Sequence, residues 1–240
     1  MKKYFILISL SLCIMASSAQ AQRSSIRLYD NLNLYAPSLV KLYNQVKTSK
    51  VMDVNEYETI KGSPYIHKYF EKGFVISKDS LLYSGLMLRY NNYKDIIEFK
   101  KDDLAYELSN QFPLLYVKIK DKIYERLVFK TKEGEKLGYF QIQSDGKVTL
   151  YSKASVLYVK AKPASGYVEY KPPKFKQEPI SFYLKQEGST NAILIDNKKD
   201  LINVLYDKKE EVLAFMNVNK LKASKLEDIT RIINYYNELN

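Results

Sequence analysis

The sequence is poor in the residues from which most metal centres and nucleophilic sites are built. Its 240 residues include one cysteine, Cys13, one histidine, His67, and no tryptophan. Structural zinc sites take most of their ligands from cysteine and histidine, iron–sulfur clusters take cysteines, and a serine triad needs a histidine base. A single cysteine also excludes a disulfide scaffold. Cysteine-ligated metal centres are therefore excluded, and any triad would have to use His67.

His67 has one potential co-ligand close by in the sequence, Glu71, four residues later. The two side chains would share one face of a helix, but one imidazole and one carboxylate do not make a metal site. We expect His67 to be a partly exposed side chain beside Tyr65 and Tyr69. The sequence predicts no metal and no cofactor.

The composition lacks the bias of fibrous and disordered chains. Eight glycines and seven prolines are too few for a collagen-like or low-complexity chain. The hydrophobic fraction of 46% is too high for an intrinsically disordered chain. We therefore expect an ordinary globular protein.

The chain is basic, with 38 lysines and arginines against 27 acidic residues and a formal net charge of +11. Only five of the basic residues are arginine, the side chain best suited to paired hydrogen bonds with bases and phosphates. The lysines are scattered, without a basic stripe or a nucleic-acid-binding motif. We expect no nucleic-acid partner, whereas peripheral attraction to anionic lipid or acidic polysaccharide stays open.

Residues 1–21 have the three parts of a secretory signal peptide. Two lysines precede an uncharged apolar segment, residues 4–15, and Ala19 and Ala21 supply the small residues before a cleavage site. The apolar segment is shorter than the ~20 residues that span a bilayer, and no later segment approaches that length. We expect cleavage before Gln22. The exported chain then has no cysteine, a charge of +9 and no transmembrane segment.

The rest of the chain divides into a lead-in, a strand-rich domain and a helical module. Residues 22–64 form a polar lead-in that we expect to be partly helical or flexible, with a short amphipathic helix at 38–46. In residues 65–196 apolar and polar residues alternate, as they do along 115–120. Such alternation is typical of antiparallel strands with one wet face.

Turn residues separate the alternating segments at regular spacing. An Asp-Gly pair at residues 145–146 is the strongest hairpin signal, with further turn residues at 91–92 and 133–134. Residues 162–179 contain four prolines, so we expect an extended crossing there instead of a strand. The region is predicted to be an antiparallel meander that forms a curved sheet, a half-barrel or a sandwich.

From residue 197 to residue 240 the hydrophobic period becomes helical, which predicts two or three short helices. Asn197, Asp207 and Ser224 are expected to cap their starts. The fold class is therefore mainly β with an α-helical C-terminal module. These helices either plug the end of the sheet or dock a partner.

Three segments resemble an uncharacterised family of exported proteins that is common in Bacteroidota. They are GSPYIHKYFEKGFV at residues 62–75, LRYNNYKDIIEF at 88–99 and KKDLINVLYDKKEEVLAFMNVNKLKASKLEDITRIINYYNEL at 198–239. The resemblance implies a location in the envelope of a Gram-negative cell, either periplasmic or associated with the outer membrane. It transfers no site residue to this chain, because the family has no assigned activity.

Two functions from different classes stay open. The first is a non-enzymatic envelope module that binds a partner protein or an apolar ligand, because the 22 tyrosines supply rigid amphipathic rings. The alternative is a hydrolase of envelope polymers that uses the carboxylates of a surface cleft. Its candidates are Glu98, which we expect to face outward from a strand, Asp102 and Asp103 in a turn, and Glu107.

We favour the binding module and predict no catalytic residue. The candidate surface for a ligand or partner combines an aromatic segment with a tyrosine-rich hairpin. Its residues are Tyr65, His67, Tyr69, Arg89, Tyr90 and Tyr93.

Overall fold

The computed structural model describes residues 34–37, 39–45, 57–165, 167 and 169–239. The predicted signal peptide and most of the predicted lead-in lie outside these residues. Within them the chain is mainly β with helices at the C-terminus, which confirms the predicted fold class. The local sequence signals also hold at the hairpins, because residues 133–134 and 145–146 lie at the turns between neighbouring antiparallel strands.

The elements follow one another in the order α1, twelve strands and then three helices. The strands are β1 Glu71–Ser77, β2 Leu82–Asn91, β3 Ile96–Lys101, β4 Leu104–Glu107, β5 Leu114–Ile119, β6 Lys122–Thr131, β7 Gly134–Ser144, β8 Val148–Lys153, β9 Val156–Val159, β10 Lys174–Gln177, β11 Ser181–Gln186 and β12 Asn191–Ile195. The helices are α1 Leu39–Gln45, α2 Lys198–Val204, α3 Lys209–Val218 and α4 Leu226–Glu238, with a 3₁₀ turn at Tyr206–Lys208.

Ten of the strands form one sheet in the order β12-β11-β8-β7-β6-β5-β1-β2-β3-β4. A further pairing joins β12 to β6 and closes five strands into a barrel. This closing pair is parallel, with Asn191 opposite Val128 and Ala192 opposite Phe129, whereas the other pairings of the sheet are antiparallel. We call β6, β7, β8, β11 and β12 with α2–α4 the barrel half, and β1–β5 with α1 the open half.

The interior of the barrel half is filled by alternate side chains from all five strands. Phe140 of β7 is fully buried, and its ring lies 5.2 Å from that of Phe129, 6.3 Å from Tyr151 and 4.8 Å from Tyr183, each nearly perpendicular to it. The aliphatic side chains that complete this cluster are those of Ile123, Leu127, Ile142 and Ala192. Edge-to-face rings of this kind add stabilisation beyond the area that they bury.

The opposite faces of β8, β11 and β12 carry the three C-terminal helices. Leu150 and Leu184 are buried against helix residues such as Leu201, Val212 and Ile232. The helices therefore cover the outer wall of the barrel, which confirms that the sheet packs against the C-terminal helices. This arrangement is neither a plug at the end of the sheet nor a separate module.

The three predicted helix starts have different outcomes. The prediction for Asp207 is wrong, because α3 begins at Lys209 with Lys208 as its cap residue and no side-chain cap. Asn197 caps α2 as predicted, and its side chain accepts hydrogen bonds from the backbone N–H groups of Lys199 and Asp200. The prediction for Ser224 is wrong, because α4 begins at Leu226 with Lys225 as its cap residue and no side-chain cap.

The open half buries its core between the curved sheet and α1. The predicted amphipathic helix is present, with Leu42 fully buried and the ring of Tyr43 stacked 6.0 Å from that of Phe99 in β3. Tyr106 of β4 stacks on the other side of Phe99 at 5.5 Å.

The proline-rich segment departs from its prediction. Residues 174–177 form β10, which pairs with β9 as a separate two-stranded ladder. Pro172 and Pro173 precede β10 and Pro179 follows it, so none of them interrupts the ladder. The prediction of an extended crossing without a strand is wrong for these four residues. No helix in the described part of the chain is long and apolar enough to cross a membrane.

Candidate functional site

A pocket of 380 Å³ opens where the open half meets the barrel half, and it results from unequal strand lengths. β1 begins at Glu71, which pairs with Leu88, but β2 continues to Asn91. The last three residues of β2 therefore pair only with β3, on one edge. On the other side of β1, the backbone N–H of Lys120 in the β5–β6 turn donates to the Lys72 carbonyl. The pocket is lined by residues of this turn together with the end of β2.

The walls of the pocket are aromatic and aliphatic. Tyr90 of β2 faces Tyr124 of β6 with ring centroids 5.4 Å apart, and it lies 6.2 Å from the ring of Tyr139 in β7. Ile119 and Ile180 contribute apolar surface from the two halves. A few polar groups complete the lining, with the side chains of Asn92, Gln141 and Ser152 among them. Small-molecule sites commonly combine such apolar walls with a few polar groups.

Asp95 holds two of the three tyrosines in place. It lies in the β2–β3 turn with a φ of 55°, a conformation that aspartate tolerates better than most residues. One carboxylate oxygen accepts from the Tyr90 hydroxyl at 2.6 Å and from the backbone N–H of Tyr139 at 3.1 Å. The other accepts from Lys153 Nζ at 2.6 Å. One carboxylate thus connects the β2–β3 turn to β7 and β8.

Burial governs the ionisation of this group of side chains. Desolvation raises the pKa of Tyr90 well above its ordinary value, and the neighbouring Asp95 raises it further. Desolvation raises the pKa of Tyr139 to about 12, although the positive charge of Arg126 acts in the opposite direction. Burial lowers the pKa of Lys153, while Asp95 partly restores it. The tyrosines therefore present neutral hydroxyls at physiological pH.

Arg89, which lines the pocket, and Glu98 form a buried ion pair between β2 and β3. The guanidinium donates to Glu98 Oε2 through Nε at 2.9 Å and through Nη2 at 2.5 Å. Its plane lies between the rings of Tyr65, at 3.8 Å, and Phe70, at 4.2 Å. Stacking on both faces restricts the guanidinium to one orientation.

Glu98 also accepts hydrogen bonds from Tyr65 and from Asn91. The Tyr65 hydroxyl lies 3.1 Å from Oε1, and the Asn91 amide lies 2.9 Å from the same oxygen. The prediction that Glu98 faces solvent is therefore wrong, because its side chain has no exposure. Burial and the charge of Glu98 raise the pKa of Tyr65.

Charged side chains form the rim of the pocket. His67 Nε2 contacts Lys122 Nζ, and desolvation followed by the charge of Lys122 lowers the pKa of His67. Lys120 Nζ lies 3.8 Å from the carboxylate of Glu71. Asp121 adds a second carboxylate to this rim. Charges of both signs thus lie at the opening, while the walls below them are mostly apolar.

The six residues of the predicted surface separate into three places. His67, Tyr69, Arg89 and Tyr90 all line the pocket. Tyr65 lies behind it, against Arg89 and Glu98. Tyr93 lies in a different aromatic cluster, with its ring 5.1 Å from that of Phe175 at the base of the β9–β10 ladder.

Sequence reasoning missed the lining residues that come from the barrel half and from the β5–β6 turn. They are Ile119, Lys120, Asp121, Lys122, Tyr124, Tyr139, Gln141, Ser152, Ala154 and Ile180, together with Ile66, Glu71 and Asn92 around them. No local pattern marks most of these positions, because they meet only through the curvature of the sheet. The alternation of Tyr124 and Tyr139 along strands was visible, but it is equally typical of ordinary packing.

A second buried polar group lies inside the barrel half. Lys185 Nζ donates to Glu125 Oε1 at 2.6 Å, and the Tyr151 hydroxyl donates to the other carboxylate oxygen. Burial and the charge of Glu125 raise the pKa of Tyr151. Both oxygens of Glu125 are used within the protein, so this group is structural.

No group of three or more histidine, cysteine, aspartate or glutamate side chains suited to a metal ion occurs among the described residues. No protein-family model, no curated protein and no solved structure matches the chain.

Proposed function

We propose that the chain is an exported cell-envelope protein that binds an apolar ligand in the pocket without transforming it. The observation that carries this proposal is a pocket of 380 Å³ with aromatic walls, in which Asp95 bonds the Tyr90 hydroxyl and the backbone of Tyr139. Its volume lies within the range of about 300–1,000 Å³ that is typical of small-molecule sites. Export is supported by the signal-peptide pattern of residues 1–21 and by the family resemblance of residues 62–239.

The arrangement of the walls favours binding over catalysis. The Tyr90 hydroxyl and the Tyr139 backbone N–H are both hydrogen-bonded to the Asp95 carboxylate, so the pocket needs little reorganisation when a ligand enters. Both tyrosine hydroxyls are buried and neutral at physiological pH, so neither supplies a phenolate for catalysis. The ligand that fits has an apolar body between the rings and a polar end at the rim of Lys120, Lys122 and Glu71.

The pocket can be tested with a fluorescent probe, 8-anilinonaphthalene-1-sulfonate, whose apolar rings carry one anionic sulfonate. Ala154 lines the pocket, and Ala154→Phe fills part of it while leaving the backbone carbonyl that accepts from Asn92 in place. We expect this change to weaken probe binding about 10-fold. The matched control, Ala214→Phe, lies on the exposed face of α3 and should leave affinity unchanged. Equal affinity of the two variants would refute binding at the pocket.

A second pair of variants, at exposed positions, keeps the test valid if Ala154→Phe fails to fold. Ile180 lines the pocket yet is 52% exposed, and Ile193 of β12 is 45% exposed and does not line it. Ile180→Gln should weaken binding of the apolar rings of the probe, whereas Ile193→Gln should not. The natural ligand can then be sought by native mass spectrometry of protein recovered from its own envelope, where a co-purifying mass supports the proposal.

Export can be tested by expressing the full chain in a Gram-negative host. The periplasmic fraction should contain a product whose intact mass corresponds to a chain beginning at Gln22. Recovery of the chain in the cytosol, with residues 1–21 attached, would contradict this part of the proposal and leave the pocket unaffected.

The hydrolase alternative rests on Glu71 and Asp121 at the rim. Glu98 cannot serve it, because its carboxylate is buried and hydrogen-bonded to Arg89, Tyr65 and Asn91. Asp102 and Asp103 lie in the exposed β3–β4 turn. Turnover of an envelope polymer that is lost in the Glu71→Gln and Asp121→Asn double variant would favour the alternative.

A further inference from the structure

The segment that contains β9 and β10 extends from the protein as a single hairpin, which we call the arm, residues 156–177. Val159 pairs with Lys174 in the ladder, and the isolated bridge between Lys162 and Lys171 continues the same register. Two backbone hydrogen bonds of 2.9 and 3.0 Å join Lys162 and Lys171. The pairing places the tip of the arm near Tyr167.

Only the base of the arm is packed against the rest of the chain. Phe175 is buried there, with its ring 5.4 Å from Tyr57, 5.1 Å from Tyr93 and 5.9 Å from Tyr158. Beyond the base, every described residue of the segments 160–165 and 169–172 is exposed, as is Tyr167. The outer part of the arm is therefore free to meet a partner.

The exposed part of the arm concentrates positive charge. The arm contains one acidic residue, Glu169, and five lysines. Lys176 at its base is paired with Glu178, whereas the outer part carries Lys160, Lys162 and Lys171 against Glu169 alone. Lys162 and Lys171 lie directly opposite each other in the ladder. Like charges in that position destabilise a free hairpin, and an anionic partner would relieve the repulsion.

Apolar and aromatic side chains accompany these lysines. Tyr167 is fully exposed, Tyr170 is 58% exposed and Leu157 is 51% exposed. Tyrosine rings favour the boundary between lipid headgroups and hydrocarbon, and clustered lysines are attracted to anionic lipid. A set of rings beside a set of lysines therefore fits the surface of an anionic bilayer.

The prolines of the arm argue against a peptide strand as the partner. Pro163, Pro172 and Pro173 have no backbone N–H, so the edges of the outer arm cannot form a continuous ladder with an added strand. Recognition must use the side chains, and these are lysine and tyrosine. We propose that the arm docks the protein on an anionic membrane surface, through its lysines and its exposed tyrosines. This inference does not depend on the pocket.

The test compares binding of variants to vesicles of phosphatidylcholine that contain about 30% phosphatidylglycerol. All variants carry the full chain and are processed by the same host, so their N-termini are identical. The triple change Lys160→Gln, Lys162→Gln and Lys171→Gln should weaken binding about 100-fold at low salt. The control triple, Lys198→Gln, Lys199→Gln and Lys209→Gln, removes the same charge from the exposed C-terminal helices and should change binding less than about 3-fold.

The tyrosines are tested separately by Tyr167→Ser with Tyr170→Ser. These rings should supply the part of binding that survives at about 1 M salt, where charge is screened. We expect the double variant to lose that residual binding while keeping the salt dependence of the original protein. Because the tip is exposed, both sets of variants should keep the circular dichroism spectrum and thermal midpoint of the parent chain.

Several outcomes would overturn the proposal. One is equal binding of the parent chain to vesicles with and without phosphatidylglycerol, and another is equal loss in the two lysine triples. Abolition of vesicle binding by inorganic phosphate at constant ionic strength would show a site for a free anion instead. Tight binding to a soluble acidic polysaccharide without binding to vesicles would assign the arm to that polymer.

Discussion

The two halves of the molecule solve the same packing problem in different ways. The barrel half closes on itself through the β6–β12 pairing and fills its interior with rings around Phe140. The open half leaves β4 at an edge and relies on α1 to cover its core. A closed sheet has no exposed edge to protect. In an open sheet, neighbouring strands can end at different positions. The pocket lies at such a place, where β2 continues beyond β1.

The closed barrel half and the open half have different parts in forming the pocket. In the barrel half the Glu125 carboxylate is used for internal hydrogen bonds with Lys185 and Tyr151. The open half contributes Tyr90 and the charged rim to the pocket. Between them, Asp95 joins the β2–β3 turn to the barrel half and positions the pocket walls. The barrel half therefore supplies the wall against which the open half forms the pocket.

The largest expected effect comes from truncating the central ring of each half. Phe140→Ala removes a fully buried ring from a closed interior that cannot collapse, and we expect a loss of about 4 kcal/mol in the free energy of unfolding. Phe99→Ala should cost less, about 3 kcal/mol, because Tyr43 and Tyr106 on either side are only partly buried and can move inward. Urea denaturation measures both. An equal or reversed order would contradict the view that the open half relaxes more easily.

Removal of a cation from an ion pair should destabilise the open half more than the barrel half, which is the reverse of the order expected for the two rings. Arg89→Met leaves Glu98 fully buried without its cation, so we expect a loss of about 3–4 kcal/mol. Lys185→Met leaves Glu125, which is 17% exposed and still bonded to Tyr151, so the loss should be about 1–2 kcal/mol. Urea denaturation of the two variants at the same pH measures these losses in the free energy of unfolding. Equal losses would contradict the prediction, because they would show that Glu125 depends on its cation as much as Glu98 does.

Asp95→Asn tests the connection between the halves. Asparagine tolerates the positive φ at this position, but it leaves the Lys153 ammonium buried without a counter-charge, and we expect a loss of about 3 kcal/mol at pH 7. Asp196→Asn, at an exposed position, is the control.

The pH dependence of this variant has a definite sign. Burial already lowers the pKa of Lys153 from 10.5, and removal of Asp95 lowers it further. The unfolded chain then binds the proton more tightly than the native state does, so stability rises with pH between the native pKa and 10.5. The deficit of Asp95→Asn relative to the parent should therefore shrink as pH rises towards 10. A constant deficit would mean that Lys153 is not responsible.

The smallest expected effect concerns the helices on the barrel half. Asn197→Ala removes two hydrogen bonds at the start of α2 and should cost about 1 kcal/mol. Ser224→Ala is the matched control, because the α4 start has no side-chain cap, and it should change stability by less than about 0.5 kcal/mol. Thermal unfolding distinguishes them, and a larger effect at Ser224 would place the start of α4 earlier than the structure does.

Local signals predicted local structure well. The alternation of residues 115–120, the Asp-Gly pair at 145–146 and the cap at Asn197 all depend on a few neighbouring residues. Ser224 matched a capping pattern just as well, but the packing of Leu226 and Ile229 against the barrel half decided where α4 begins. A cap contributes about 1 kcal/mol, which is less than the burial of such side chains contributes.

Glu98 shows why the site could only partly be predicted. Period-two alternation predicts that one face of a strand is wet, but in β3 the first four residues are all buried. Arg89, Tyr65 and Phe70 cover the face on which Glu98 lies. The segment of residues 65–70 reaches this face through a loop, and no sequence pattern specified its path.

The sequence by itself determined the class of fold, the position of most turns, the presence of helices at the C-terminus, and the shortage of imidazole and thiol groups. These properties follow from residue types and short spacings. Only the tertiary structure decided the parallel closure of β6 with β12, the docking of the helices on the outer wall and the pocket beyond the start of β1. Each of these depends on which distant strands meet and on their relative lengths, and such contacts are set by packing of the whole chain.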